Sequence, residues 1–172
     1  MRALSILGLT CLLACATTHH GPHGGREATV EQFLQVWLVD RDLERARGWV
    51  DPRFGLLPDE GDAKNWPEDL RDLPGSERVL RFPLALGMLP ERCDKLTDCI
   101  RGLEDKQRAY DSDETLVTAD MVKEQPGFAA YQGQRLLQVS FMLQDCRIGG
   151  SLIFRREKQG AWRLISGFYL AG

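Results

Sequence analysis

The sequence predicts an α+β domain: one long amphipathic helix near the N terminus and an antiparallel sheet formed by the last forty residues. Val30, Phe33, Leu34, Trp37 and Leu38 recur at i, i+3, i+4, i+7 and i+8, one apolar helical stripe. Leu137, Val139, Phe141 and Leu143 alternate with Gln138, Ser140, Met142 and Gln144, the period of a half-buried strand. The chain has 172 residues, 43% apolar and 27% charged, which suits one globular domain with a real core and excludes disordered and collagen-like classes.

The helix is expected over 29–47. Thr29-Val30-Glu31-Gln32 has the form of a capping box, and Glu31, Gln32, Gln35, Asp40, Arg41, Asp42, Glu44 and Arg45 make the polar face. Gly48 stops it and Asp51-Pro52 begins a turn. Residues 52–76 are rich in Pro, Gly and Asp and read as loop, with one short helix at Glu68 to Leu73. Val79 to Leu84 reads as a strand, at an edge because Pro83 lacks a ladder donor. Pro90 to Gln107 reads as a second helix with Leu96, Cys99, Ile100 and Leu103 on one face, and Glu114 to Met121, around Thr115-Leu116-Val117-Thr118, as a short strand. Three strands then form a meander: 137–144, 151–156 and 162–170, with turns at 145–150 and at Glu157 to Gly160.

Residues 1–14 read as a signal peptide. Arg2 is followed by the apolar run Ala3 to Ala14, too short for a resident span, which needs about 20 residues. The run ends in Leu12-Leu13-Ala14-Cys15, which resembles the lipobox of bacterial lipoproteins. That resemblance implies acylation of Cys15, with cleavage before it. Cys11 is the weaker candidate because Thr10 precedes it, and Ala14-Cys15-Ala16 also fits ordinary cleavage. Membrane lipid is then a partner through acylated Cys15. Three acyl chains, at about 0.8 kcal/mol per buried CH₂, hold durably. Ala16, where an Asp would retain the protein at the inner membrane, points to the outer membrane of a bacterial envelope, facing the periplasm.

Residues 15–25 are the anchor and a flexible tether, Thr17-Thr18-His19-His20-Gly21-Pro22-His23-Gly24-Gly25. All three histidines of the chain lie there. No Cys or carboxylate stands beside them to complete a tetrahedral metal site, so neither metal nor cofactor is expected. The absence of His from 26–172, the single predicted domain, excludes Ser-His-Asp, Cys-His and HExxH machinery in it. A net charge of −3 argues against nucleic acid as a partner. Charge is uneven: residues 40–128 hold 14 basic and 21 acidic groups, whereas 135–170 hold 6 and 2. Arg135, either Arg155 or Arg156, and Arg163 would give the sheet a basic outer face able to meet anionic lipid or an acidic partner, although charge there more simply protects strand surfaces.

An exported domain favours disulfides. Cys93, Cys99 and Cys146 remain after the leader and anchor. On a continuous helix Cys93 and Cys99 would have Cα atoms about 9 Å apart, out of bridging range. Either 90–100 is a loop closed by Cys93–Cys99, the preferred pairing because it is local, or one of the two reaches Cys146.

The Trp-bearing N-terminal helix with its Asp40-Arg41-Asp42-Leu43 continuation, and the terminal meander ending in Gly160-Ala161-Trp162-Arg163-Leu164-Ile165, together resemble the nuclear transport factor 2-like superfamily over about 28–55 and 133–170. The resemblance implies a cone, a curved antiparallel sheet wrapped on helices. Trp37, Phe141, Phe154 and Trp162 are the candidate lining of its cavity. The superfamily includes non-enzymatic binding and dimerising modules. The expected function is therefore an envelope lipoprotein whose domain binds a protein partner or a small apolar ligand without catalysis, with homodimerisation through the sheet in keeping. No catalytic residue is assigned. The alternative is isomerase or dehydratase chemistry by an Asp/Tyr pair, for which Tyr110, Asp111 and Asp113 carry suitable groups, although so polar a segment reads as an exposed loop.

Overall fold

The computed structural model describes residues 26–55, 66–85, 87–144 and 148–171. The signal peptide, Cys15, the histidine tract and Cys146 lie outside the described residues.

The meander forms where the alternating pattern places it. Strands β3 (Arg135–Leu143), β4 (Ile148–Arg156) and β5 (Trp162–Ala171) pair antiparallel in sequence order. Two further strands, β1 (Ile100–Arg101) and β2 (Asp111–Leu116), share the outer edge of β3, opposite Met142 to Leu143 and Arg135 to Ser140 respectively. Between β4 and β5 the register slips: Ile153 faces Ser166 but Phe154 faces Leu164, which makes Ile165 the extra residue of a bulge.

The helix predicted over 29–47 is interrupted. Helix α1 (Arg26–Leu34) begins before Thr29, so the expected capping box lies inside it. A π-helical turn, Gln35–Val39, follows, and the Asp40 N–H donates to the Gln35 carbonyl at 2.9 Å. The chain then breaks at Arg41, whose φ is 55°. The Arg41 guanidinium secures this corner by donating to the carbonyls of Pro90 (2.6 Å) and Glu91 (3.0 Å). Asp42 starts a new helix, α2 (Leu43–Arg47), by accepting from the Arg45 N–H at 3.0 Å. Aspartate stabilises a helix start more than a helix interior, and two of them here stop one helix and cap the next.

The expected edge strand at Val79 to Leu84 is helical. After α3 (Glu68–Arg71), helix α4 (Gly75–Ala85) buries Val79, Leu80, Phe82 and Pro83. Pro83 cannot donate to the carbonyl four residues earlier, so the Val79 oxygen is left over. The Tyr169 hydroxyl on β5 donates to it at 2.8 Å.

The second predicted helix shrinks to one turn, α5 (Leu96–Cys99). Cys93 and Cys99 are joined by a disulfide with Cα atoms 5.4 Å apart, a separation that helical rise over six residues does not permit. Leu103, expected on the same face as Leu96, is 48% exposed. It belongs to a turn at 102–110 in which the Asp111 carboxylate accepts from the N–H groups of Leu103 and Glu104. The Tyr110–Glu114 segment, expected as loop, mostly forms β2, an exposed and acidic edge strand that discourages edge-to-edge pairing. Thr118 then caps helix α6 (Ala119–Glu124), and a 3-10 helix spans Pro126–Tyr131.

The sheet is packed on both faces. On one, Leu137, Val139, Phe141, Leu152, Phe154 and Leu164 meet Phe33, Trp37, Leu38, Val79 and Leu80. Two glycines make room for side chains. A Cβ on Gly150 would lie 2.5 Å from the ring of its cross-strand partner Phe141, and one on Gly167 would lie 2.9 Å from Val79 of α4, so Gly167 lets helix and sheet approach. On the other face Leu136, Ile153 and Ile165 are covered by Val117, Phe128 and Tyr131.

An ion-pair clamp joins α2 to α4. Glu77 accepts from Arg47 Nε (2.6 Å) and Nη2 (2.9 Å), and from Arg81 Nε (3.0 Å). The Arg47 hydrogen bonds, against the opposing pull of burial, bring the Glu77 pKa down to about 2 from 4.5. A carboxyl depressed in the folded state adds stability that is complete above its unfolded pKa and is lost as pH falls through the folded one. We therefore expect Glu77→Gln to lower stability at pH 7 and to flatten its decline between pH 4.5 and about 2, read from urea midpoints across that range. A wild-type decline unchanged by the substitution would assign it to other carboxylates.

Candidate functional site

The aromatic residues expected to line a cavity are the core itself. Trp37, Phe141 and Phe154 are fully buried and Trp162 is 4% exposed. Phe33 packs against Trp37 at 5.4 Å and Phe154 at 5.5 Å between ring centroids, and Trp37 against Phe141 at 6.2 Å. The Trp37 indole N–H donates to the Leu80 carbonyl at 2.8 Å. Trp162 carries the Arg156 guanidinium 6.0 Å from its ring centroid. Neither of the two hollows described below is lined by these four.

The larger hollow, about 480 Å³, opens between α1, the start of α5 and the start of β2. Glu31, Lys95, Thr97, Arg108, Tyr110 and Ser112 line it. The disulfide holds Lys95 and Thr97 in place, and the 102–110 turn presents Arg108 and Tyr110. It offers two cations, one carboxylate and three hydroxyls beside the apolar Leu96 and Ala109. The Asp111 carboxylate, the acid of the expected Tyr/Asp group, is engaged by the backbone N–H groups of Leu103 and Glu104 at 2.5 and 2.9 Å.

The second site centres on Asp51, which is 1% exposed. One carboxylate oxygen accepts from the Arg53 backbone N–H at 2.8 Å and Arg53 Nε at 3.4 Å. The other accepts from Arg155 Nε at 2.5 Å and from Arg155 Nη2. Arg155 also contacts Glu157 at 3.3 Å, and Glu157 contacts Arg163 at 3.4 Å. Burial pushes the Asp51 carboxyl up, but the Arg53 N–H and the Arg155 guanidinium outweigh it and hold it below its usual value. Burial pushes the Tyr131 phenol up, and the charge of Asp51 adds to that. The group sits where the chain crosses to β5, since the Asp51 N–H donates to the Leu164 carbonyl at 2.8 Å.

Comparison with protein-family models, curated proteins and solved structures finds no match. The site is thus judged on its own geometry. Among the described residues, no group of three or more His, Cys, Asp or Glu side chains is placed to hold a metal ion, and no helix is long and apolar enough to cross a membrane.

Sequence patterns do not reveal the Asp51 group. Asp51 reads as a turn residue and Arg155 as part of a basic outer face, and the two are 104 residues apart. In the fold, Arg155 serves Asp51, Arg163 donates to the Gly48 carbonyl, and Arg156 covers Trp162. Arg163 and both candidates for the middle position of that expected basic face are therefore engaged within the protein.

Proposed function

We propose that this chain is a lipoprotein of the bacterial cell envelope, anchored by acylated Cys15, whose domain binds a protein partner without catalysing a reaction. We also assign the domain to the nuclear transport factor 2-like cones, on the support of α1 and the π turn packed across one face of an antiparallel sheet. The observation that carries the binding role is the filled interior. The aromatic side chains that would wall an apolar ligand cavity pack on one another instead, so recognition falls to the surface. Among the described residues, the carboxylates with displaced pKa values, Asp51 and Glu77, are both displaced downward. A general acid needs the opposite shift, which supports binding over isomerase or dehydratase chemistry.

Metabolic labelling with an alkyne palmitate tests the anchor. The full chain, expressed in a bacterial host, should be labelled and sediment with membranes, whereas Cys15→Ala should be unlabelled and released. Equal labelling of the two would sink the lipoprotein assignment.

A further inference from the structure

We propose that the smaller hollow, beside Arg53, receives the C-terminal residue of a partner polypeptide, its apolar side chain inside and its carboxylate on the Arg53 guanidinium. This rests on the protein-binding role above and names the chemistry of the partner.

The hollow has a volume of about 170 Å³ and lies between the 3-10 helix, the β5 bulge and the Arg53–Gly55 segment. Sites that enclose whole small-molecule ligands run from roughly 300 to 1,000 Å³, so this one has room for a single side chain. Phe128, Ala130 and Ile165 make its walls apolar, and Gly55 and Gly127 add backbone without a side chain to fill it. The bulge is what turns Ile165 and Ser166 toward it together.

The charge at its rim follows from a chain of contacts. Arg53, Asp51, Arg155, Glu157 and Arg163 alternate in sign, each within 3.4 Å of the next. Among the described residues, three cations thus share two carboxylates, and one positive charge is left over. At one end Arg163 donates to the Gly48 carbonyl, and its side chain is 32% exposed. At the other end Arg53 is 61% exposed, so the surplus emerges there. The Tyr131 ring, 5.9 Å from the Arg53 guanidinium carbon, keeps that charge beside the opening. Within a polypeptide only the C-terminal residue carries an apolar side chain and a carboxylate on the same carbon, which is the spacing that a one-residue pocket with a cation at its rim accepts. An arginine is the residue suited to the carboxylate.

Fluorescence polarisation on the full chain in detergent tests this, with the labelled pentapeptide Ala-Gly-Ala-Ala-Leu as the free acid and as the C-terminal amide. The acid should bind saturably and the amide about tenfold or more weaker, the loss of one charge-assisted contact. Arg53→Gln should weaken the acid by about the same factor and leave the amide unchanged. Ala130→Trp, at an exposed wall position, should abolish binding of both peptides, with Ala130→Phe as the smaller filler. Equal affinity of acid and amide, no saturable binding, or full affinity in the filled variants overturns the proposal. N-acetyl-leucine, which carries the same side chain and carboxylate, should displace the pentapeptide, whereas N-acetyl-leucine amide should not; the reverse order overturns the proposal. These outcomes are independent of palmitate labelling, so the pocket and the anchor stand or fall separately.

Discussion

Arg155→Ala is expected to cost about 3–5 kcal/mol of folding stability, because it leaves a buried carboxylate without its main partner. Asp51 is 1% exposed and takes both of its Oδ2 contacts from Arg155. Its remaining partner, Arg53, reaches it with one side-chain contact at 3.4 Å from a largely exposed position. Water cannot readily replace the lost guanidinium at so buried an oxygen. The pair need not be a large net gain over an apolar equivalent, since desolvation of both charges offsets much of their attraction. The double replacement Asp51→Leu with Arg155→Met should accordingly recover most of the loss. Urea unfolding of the two variants beside wild type measures both quantities. A loss under about 1 kcal/mol for Arg155→Ala would mean that water already serves Asp51.

Trp37→Ala should be of similar size, about 3–5 kcal/mol, for a different reason. Trp37 is fully buried, touches Phe33 and Phe141, and supplies the hydrogen bond to the Leu80 carbonyl that joins the π turn to α4. Its removal opens a cavity among side chains already fixed by neighbours on two layers. Trp37→Phe keeps most of the packing and strands the Leu80 oxygen, a cost of about 1–3 kcal/mol. Leu103→Ala supplies the contrast. Leu103 is 48% exposed, and its truncation should change stability by no more than about 0.5 kcal/mol. An effect of Trp37→Ala no larger than that of Trp37→Phe would show that the interior collapses around the gap.

The sequence by itself determined the parts in which one local period governs burial. A strict alternation over 137–143 allows one register, because a slip by one residue would expose every apolar side chain of β3. The stripe from Val30 to Leu38 likewise selects the buried face of the first helical segment. Only the tertiary structure decided the rest. The short apolar run Val79 to Leu84 suits a strand or a helix equally. It is helical in the fold, where it buries Val79, Leu80 and Phe82, and the carbonyl that Pro83 leaves without a donor accepts from the Tyr169 hydroxyl, on a residue 90 positions away. The break at Arg41 depends on carbonyls at Pro90 and Glu91, and the end of the second predicted helix on the bridge to Cys93. Whether the aromatic residues enclose a cavity or fill it is a question of volume between layers, which no spacing encodes. The Asp51–Arg155 pair and the pocket beside Arg53 arise for the same reason. Charge and shape there come from segments that meet only when the sheet closes against the 49–55 crossing, so the fold had to form before the candidate site existed.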